Sequence, residues 1–235
     1  MVNYDELPLF PLNTVLYPGM PLPLHIFEPR YLEMVNFCVE HHAGFGVVLI
    51  KSGSEVGEAA EPHHVGTVAR ITHVESTDDN GLNIVVVGES RFRILETTHK
   101  RSYLTAVAAP VSEVRESIEE LASPTEQATD LFRAYLRSQL ALNKQSLSAM
   151  QLPHDPSILA YAIAQTIQVP LEVKQILLEL SSTSERLDRE IDILGHEIAS
   201  QAHKSAPVSR RSGENVTASI QPADGAELRK IISRN

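Results

Sequence analysis

Lys144-Gln145-Ser146 sets a lysine two residues from a serine. That pair does chemistry in Ser–Lys hydrolases, where a desolvated amine takes the serine proton. Here it falls in a polar stretch with no glycine-shaped turn to supply oxyanion donors, so no catalytic residue is assigned to it. A Gly-x-x-x-x-Gly-Lys-Ser/Thr phosphate loop and a Gly-x-Ser-x-Gly elbow are both absent. Cys38 follows Tyr31, Met34 and Val35 on one apolar stripe and reads as a small buried hydrophobe rather than a nucleophile. Ten histidines invite a metal reading, but His41-His42 and His63-His64 are adjacent pairs. Adjacent side chains on an extended strand point to opposite faces and do not close on one ion. His196-Glu197 lacks the second histidine of a His-Glu-x-x-His site. No metal and no cofactor is expected.

Two features remain. His25 lies in the apolar string Leu22-Pro23-Leu24-His25-Ile26-Phe27 and reads as a core histidine bonded to backbone, or as the residue that orients the next turn. That turn, Phe27-Glu28-Pro29-Arg30-Tyr31, offers a carboxylate and a guanidinium able to pair, between two aromatic rings.

The elements that hold these residues change character near residue 112. Before it the pattern is strand-like. Phe45–Ile50 is an apolar β-branched run, and 65–74 alternates, with a bulge expected near Gly66. Asp78-Asp79-Asn80-Gly81 supplies a turn, and 82–87 returns as the partner strand. Gly88 is expected to break that strand, Arg91–Leu95 to continue it, and Tyr103–Ala108 to add another. Strands at this spacing predict a barrel or closed sandwich. One helix interrupts them, opened at Pro29 and capped by a left-handed Gly44.

After residue 112 the period is helical. Starts are expected at Ser123-Pro124, Asp155-Pro156, Val169-Pro170 and the capping box Ser182-x-x-Glu185. The last helix carries Leu187, Ile191, Leu194 and Ile198 as its buried stripe. Four helices in this length make a small bundle. The reading is an α+β chain: a β-barrel subdomain with one inserted helix over 1–112, a four-helix bundle over 113–203, and a disordered basic tail over 204–235, with a short helix near 226–232.

Composition narrows the function classes. At 235 residues, with one cysteine, the chain needs no disulfide to hold a core. Trp is absent, aromatics are 5% and the formal net charge is −10, all unfavourable to a nucleic-acid surface. The three segments carry −6, −7 and +3. The acidic, proline-interrupted start does not fit a signal peptide, and no apolar run suits a membrane span, so a cytoplasmic protein is expected.

Leu7-Pro8-Leu9-Phe10-Pro11-Leu12, then Val15-Leu16-Tyr17-Pro18-Gly19, then Leu22 to Tyr31 resemble, in order and spacing, the amino-terminal substrate-binding domain of the Lon proteases. Gly88 with Arg91-Phe92-Arg93-Ile94 resembles that family's glycine-then-arginine strand. Val169 to Glu179 with Glu185-Arg186-Leu187 resembles its following helices. The likeness covers about residues 5–200. It implies a PUA-like antiparallel β-barrel, a domain shared with cereblon-type proteins, joined to a helical bundle. It also implies recognition of unfolded or degradation-tagged polypeptide, with delivery to a separate ATP-dependent protease. Lon's ATPase and Ser–Lys peptidase modules have no counterpart here, so the expected reading is a non-catalytic recognition module like the stand-alone bacterial proteins of this domain. Phe27, Glu28, Arg30 and Tyr31 are the expected rim of the peptide site. The alternative is an RNA-binding PUA-like module, for which Arg91, Arg93, Lys100 and Arg101 form the densest cation group.

Overall fold

In the computed structural model, residues 2–53, 60–142 and 151–205 are described. Lys144, Ser146, the 226–232 segment and all but the first residues of the expected tail lie outside them. The strands are β1 (Leu7–Leu12), β2 (Pro21–Ile26), β3 (Phe45–Ser52), β4 (Glu61–Pro62), β5 (Val65–Ser76), β6 (Leu82–Thr98) and β7 (Thr105–Pro110). The helices are α1 (Pro29–Glu40), α2 (Ile118–Leu142), α3 (Pro156–Thr166), α4 (Leu171–Glu179) and α5 (Thr183–Ser205). This is a mixed α and β chain with a largely antiparallel sheet. Contacts divide it into two compact units. One holds the chain up to Val114 together with Ala164–Ser181; the other holds Arg115–Ile163 and the chain from Ser182 onward.

In the first unit the sheet runs β1-β7-β6-β5-β3, and β1 also pairs β3, so the path returns to its start. The expectation was antiparallel throughout. The β1–β3 ladder is instead parallel, from Leu9↔Gly46 to Leu12↔Leu49. The reason is the connection: β2 and α1 intervene, and a crossover of that length returns the chain in the same direction. β1 is buried on both faces. Leu7 and Leu9 join Val48, Val68, Phe92 and Ile94 in one apolar cluster. Phe10 and Leu12 join Ile26, Phe45, Val47 and Ile84 in another, with Tyr31, Met34, Val35 and Cys38 of α1. Each such side chain contributes about 1.5–3 kcal/mol by burial.

Gly88 does not break β6, which runs unbroken from Leu82 to Thr98. Gly88 instead lets the backbone of 17–20 approach. Its amide donates to Met20 O at 3.0 Å, and the Gly19 amide donates to Gly88 O at 2.8 Å. A Cβ there would sit 2.3 Å from Tyr17 O. Gly88→Ala should therefore cost about 1–3 kcal/mol, read as a lower urea midpoint; an unchanged midpoint would mean that the 17–20 segment yields freely.

The bulge expected near Gly66 is found beside it, as a register shift between Thr67 and Ala69, and a second shift falls between Ile71 and His73. Gly66 is needed where a Cβ would strike Val47 O at 2.4 Å. The left-handed residue after α1 is His42, at φ 50°, not Gly44. Gly44 has a packing role, since its Cβ would meet Val68 Cγ1 at 2.9 Å.

In the second unit α2 begins at Ile118, one and a half turns before Ser123-Pro124, and Pro124 lies inside it. The operative capping box is Ser117-x-x-Glu120. The Ser117 amide donates to Glu120 Oε2 at 2.7 Å, and the Glu120 amide to Ser117 Oγ at 3.2 Å. The expected starts of α3 and α5 hold: the Ile158 amide donates to Asp155 Oδ1 at 2.9 Å, and the Glu185 amide to Ser182 Oγ at 3.0 Å. Glu116, however, takes the free amides of α5, from Thr183 at 2.6 Å and Ser184 at 3.0 Å. Burial pushes the Glu116 carboxyl up, but its bonds from Ser184, Ser182 and Thr183 outweigh that and hold it below the usual range. The buried face of α5 carries Arg186, Leu187, Glu190, Ile193 and Leu194, with Ile191 and Ile198 at its margin.

Candidate functional site

β2 delivers the chain into α1 at the Phe27–Tyr31 corner. Pro29 at the first helical position fixes the turn, and Glu28 is the N-cap with an extended backbone, φ −73° and ψ 132°. The Glu28 side chain does not cap the helix. It accepts from Arg30 Nε at 3.0 Å, with Arg30 Nη2 at 2.9 Å. The pair is half-buried, and the Arg30 guanidinium lies 4.5 Å over the Tyr31 ring. Tyr31 is buried against Phe10, with ring centroids 4.2 Å apart. Phe27 is 55% exposed, a large ring left in solvent.

These residues border a cup of about 330 Å³. Its floor and walls are Phe10 and Leu12 of β1, Leu24 and Ile26 of β2, and Tyr31 of α1, with Phe27 and Glu28 at the rim. That volume is at the low end of ligand clefts and admits about one or two side chains. The mouth is neutral where Arg30 offsets Glu28, and the interior is apolar and aromatic. Such a cup can remove an apolar side chain from water. Phe27, Glu28 and Tyr31 thus line one cavity, while Arg30 is not in its lining and pairs with Glu28.

His25 is not the core histidine expected. Its imidazole is half exposed, 5.9 Å from the Phe27 ring and stacked with it. Nδ1–H donates to Asn83 Oδ1 at 2.9 Å, and Nε2 lies 3.7 Å from Asp79 Oδ2. Asp79 is held below the usual carboxylate range by the Thr77 hydroxyl and the Gly81 amide. Sequence reasoning missed Phe10, Leu12 and Leu24 as walls. The alternation of β1 puts 10 and 12 on one face, but Pro8 and Pro11 hide that strand from a propensity reading.

A second hollow of about 540 Å³ is lined by Cys38, Val39, His42, Arg70, His73, Val74 and Glu89, among others. Burial pushes the Cys38 thiol up to about 12, and Arg70 Nε is taken by Glu89 at 2.5 Å. Among the described residues no three His, Cys, Asp or Glu side chains gather to hold a metal ion. Of the four cations grouped in sequence, Arg91 is buried and Arg101 pairs with Glu6 at 2.8 Å over the Phe37 ring. No described helix is long and apolar enough to cross a membrane.

The model of the ATP-dependent protease La (LON) substrate-binding domain matches residues 6–196. The chain belongs to the Lon substrate-binding domain family. It is 27% identical over 190 residues to a Lon protease of Flavobacterium johnsoniae, covering 77% of this chain and 23% of that one. Lon protease 2 of Myxococcus xanthus is 28% identical over 201 residues, covering 83% and 24%. The Lon protease of Escherichia coli K12 is 28% identical over 200 residues, covering 82% and 25%. The chain thus spans about a quarter of the length of these curated relatives.

Among solved structures, the Lon N-terminal domain protein from Xanthomonas campestris matches with a TM-score of 0.58 at 26% identity, covering 80% of this chain and 97% of that one. The N-terminal domain of the Mycobacterium avium complex Lon protease has the same fold, with a TM-score of 0.62 at 21% identity over 81% and 98%. The region matched is the one that recognises substrates in a proteolysis-linked family; it is not the ATPase or peptidase region. The cup lies within residues 6–196.

Proposed function

We propose that this Lon-domain chain is a non-catalytic polypeptide-recognition module, holding apolar side chains of unfolded or degradation-tagged segments in the Phe27–Tyr31 cup. It would hand them to an ATP-dependent protease. The observation that carries this reading is a 55%-exposed Phe27 beside a cavity walled by Phe10, Leu12, Leu24 and Tyr31. An aromatic ring left in water beside an apolar cavity gains by covering both with a ligand side chain. The closed β1-β7-β6-β5-β3 path is read as a PUA-like barrel. In the second unit α2 and α5, packed along each other, are read with α3 as a helical bundle.

The test is fluorescence anisotropy with labelled peptides rich in Leu and Phe, against the full chain. Saturable binding is expected. Phe27→Ala should weaken it about tenfold with no change in melting temperature, because the ring is exposed and contributes to binding more than to the core. Absence of saturable binding up to high micromolar peptide would reject the reading.

A further inference from the structure

β2, β6 and β5 lie side by side, and their registers set two transverse rows: His25–Asn83–Glu75 and Pro23–Val85–His73. Both rows line a shallow hollow of about 380 Å³. It shares Pro23, Leu24 and His25 with the cup, so the two hollows adjoin along β2. No lysine or arginine lines this shallow hollow. Its carboxylate is Glu75, exposed and in no ion pair among the described residues. Asp79 brings another negative charge to the same edge, 3.7 Å from His25 Nε2. The cup is therefore flanked on its β2 side by the Glu75 carboxylate, which has no cation of its own among the described residues, whereas at its α1 side Glu28 is offset by Arg30.

We infer that the segments taken into the cup carry a lysine or arginine two or three residues from the apolar anchor, seated against Glu75. The spacing follows from the sheet. Strands lie about 4.8 Å apart and an extended residue advances about 3.3 Å, so Glu75 is roughly 10 Å from His25, a span of about three residues. Charge complementarity of this kind selects partners and speeds encounter. A carboxylate with no cation of its own is open to a ligand cation, and an acidic ligand residue would meet Glu75 and Asp79 with repulsion. The inference rests on the reading of the cup as a polypeptide site.

Three labelled peptides test it, identical in their Phe-Leu anchor and bearing Lys, Ala or Glu three residues away, titrated by anisotropy against the full chain. The Lys peptide should bind about threefold tighter than the Ala peptide, the scale of one exposed ion pair, and the Glu peptide should bind weakest. Glu75→Gln should level the Lys and Ala peptides, Glu75→Lys should invert the order, and 0.5 M salt should compress it. Equal binding of all three would overturn the inference and leave the cup reading standing. So would a Lys preference that survives Glu75→Gln. Failure of all three to bind would overturn both.

Discussion

Arg91→Met is expected to cost about 3 kcal/mol of stability, seen as a large drop in the urea midpoint of the full chain. Arg91 leaves β6 with a side chain only 1% exposed. Its Nη1 donates to the carbonyls of Leu178 and Leu180, the latter at 2.6 Å, and its Nη2 reaches Glu113 Oε1 at 2.7 Å. The two carbonyls are at the end of α4, where a helix leaves its last acceptors without partners and carries partial negative charge. The guanidinium satisfies them and adds its own charge. Each such charge-assisted bond contributes about 1.5–3 kcal/mol, and methionine would keep the packing while leaving a buried carbonyl empty. Two further hydrogen bonds hold α4, one from the β1–β2 connection and one to β5. Tyr17 Oη donates to Lys174 O at 2.7 Å, and Gln175 Nε2 donates to Val65 O at 3.0 Å. Arg91→Lys keeps the charge but cannot fork to several acceptors, so an intermediate loss is expected. A midpoint for Arg91→Met equal to that of the parent would refute this.

The second large effect is on the pH dependence of stability. Glu190 of α5 is fully buried, and neither carboxylate oxygen has a hydrogen-bond partner among the described residues. Arg186, one turn earlier and also fully buried, lies 4.5 Å over the Tyr161 ring of α3. Burial pushes the Glu190 carboxyl well above the usual range, against the opposing pull of Arg186. In the unfolded chain the same group ionises near the ordinary value of about 4.3. Between that value and its folded one, the folded state holds the extra proton. The contribution of Glu190 is present below the ordinary value and falls as pH rises through this window, at a slope approaching about 1.4 kcal/mol per pH unit. Glu190→Gln removes the titration. Melting temperatures from pH 4.5 to 8 should therefore converge for the two proteins at the acid end, with the variant gaining steadily toward the alkaline end. Parallel profiles would contradict the assignment.

How much of this was legible from the residues differs by element. α1 was readable at its start and along its face, because Tyr31, Met34, Val35 and Cys38 repeat at helical spacing and all four are buried. β1 was not readable by propensity: its prolines disguise a strand that is buried on both faces. The resemblance to the Lon domain rested on those same prolines. A glycine in a strand announces special geometry without saying which kind, so Gly88 read as a break when it marks a close backbone approach. An arginine reads as surface charge, and only tertiary structure reveals that Arg91 closes the end of a helix. Glu190 is hidden for the same reason, since an acidic residue within an apolar period is scored as its exposed side. At the candidate site the corner residues were named in advance. The walls from β1 were not, because strand pairing across long sequence separation brings them there.

Apolar polypeptide is proposed to enter the cup formed by β1, β2 and the start of α1. The most direct test is chemical-shift mapping of the full chain, with methyl and aromatic labels, during titration with a denatured, protease-inert polypeptide. Shifts concentrated on Phe10, Leu12, Leu24, Phe27 and Tyr31, saturating together and absent in Phe27→Ala, are the expected result. Saturable shifts confined to other surfaces, such as the hollow around Val39, His42 and Val74, or no shifts at all, would contradict it.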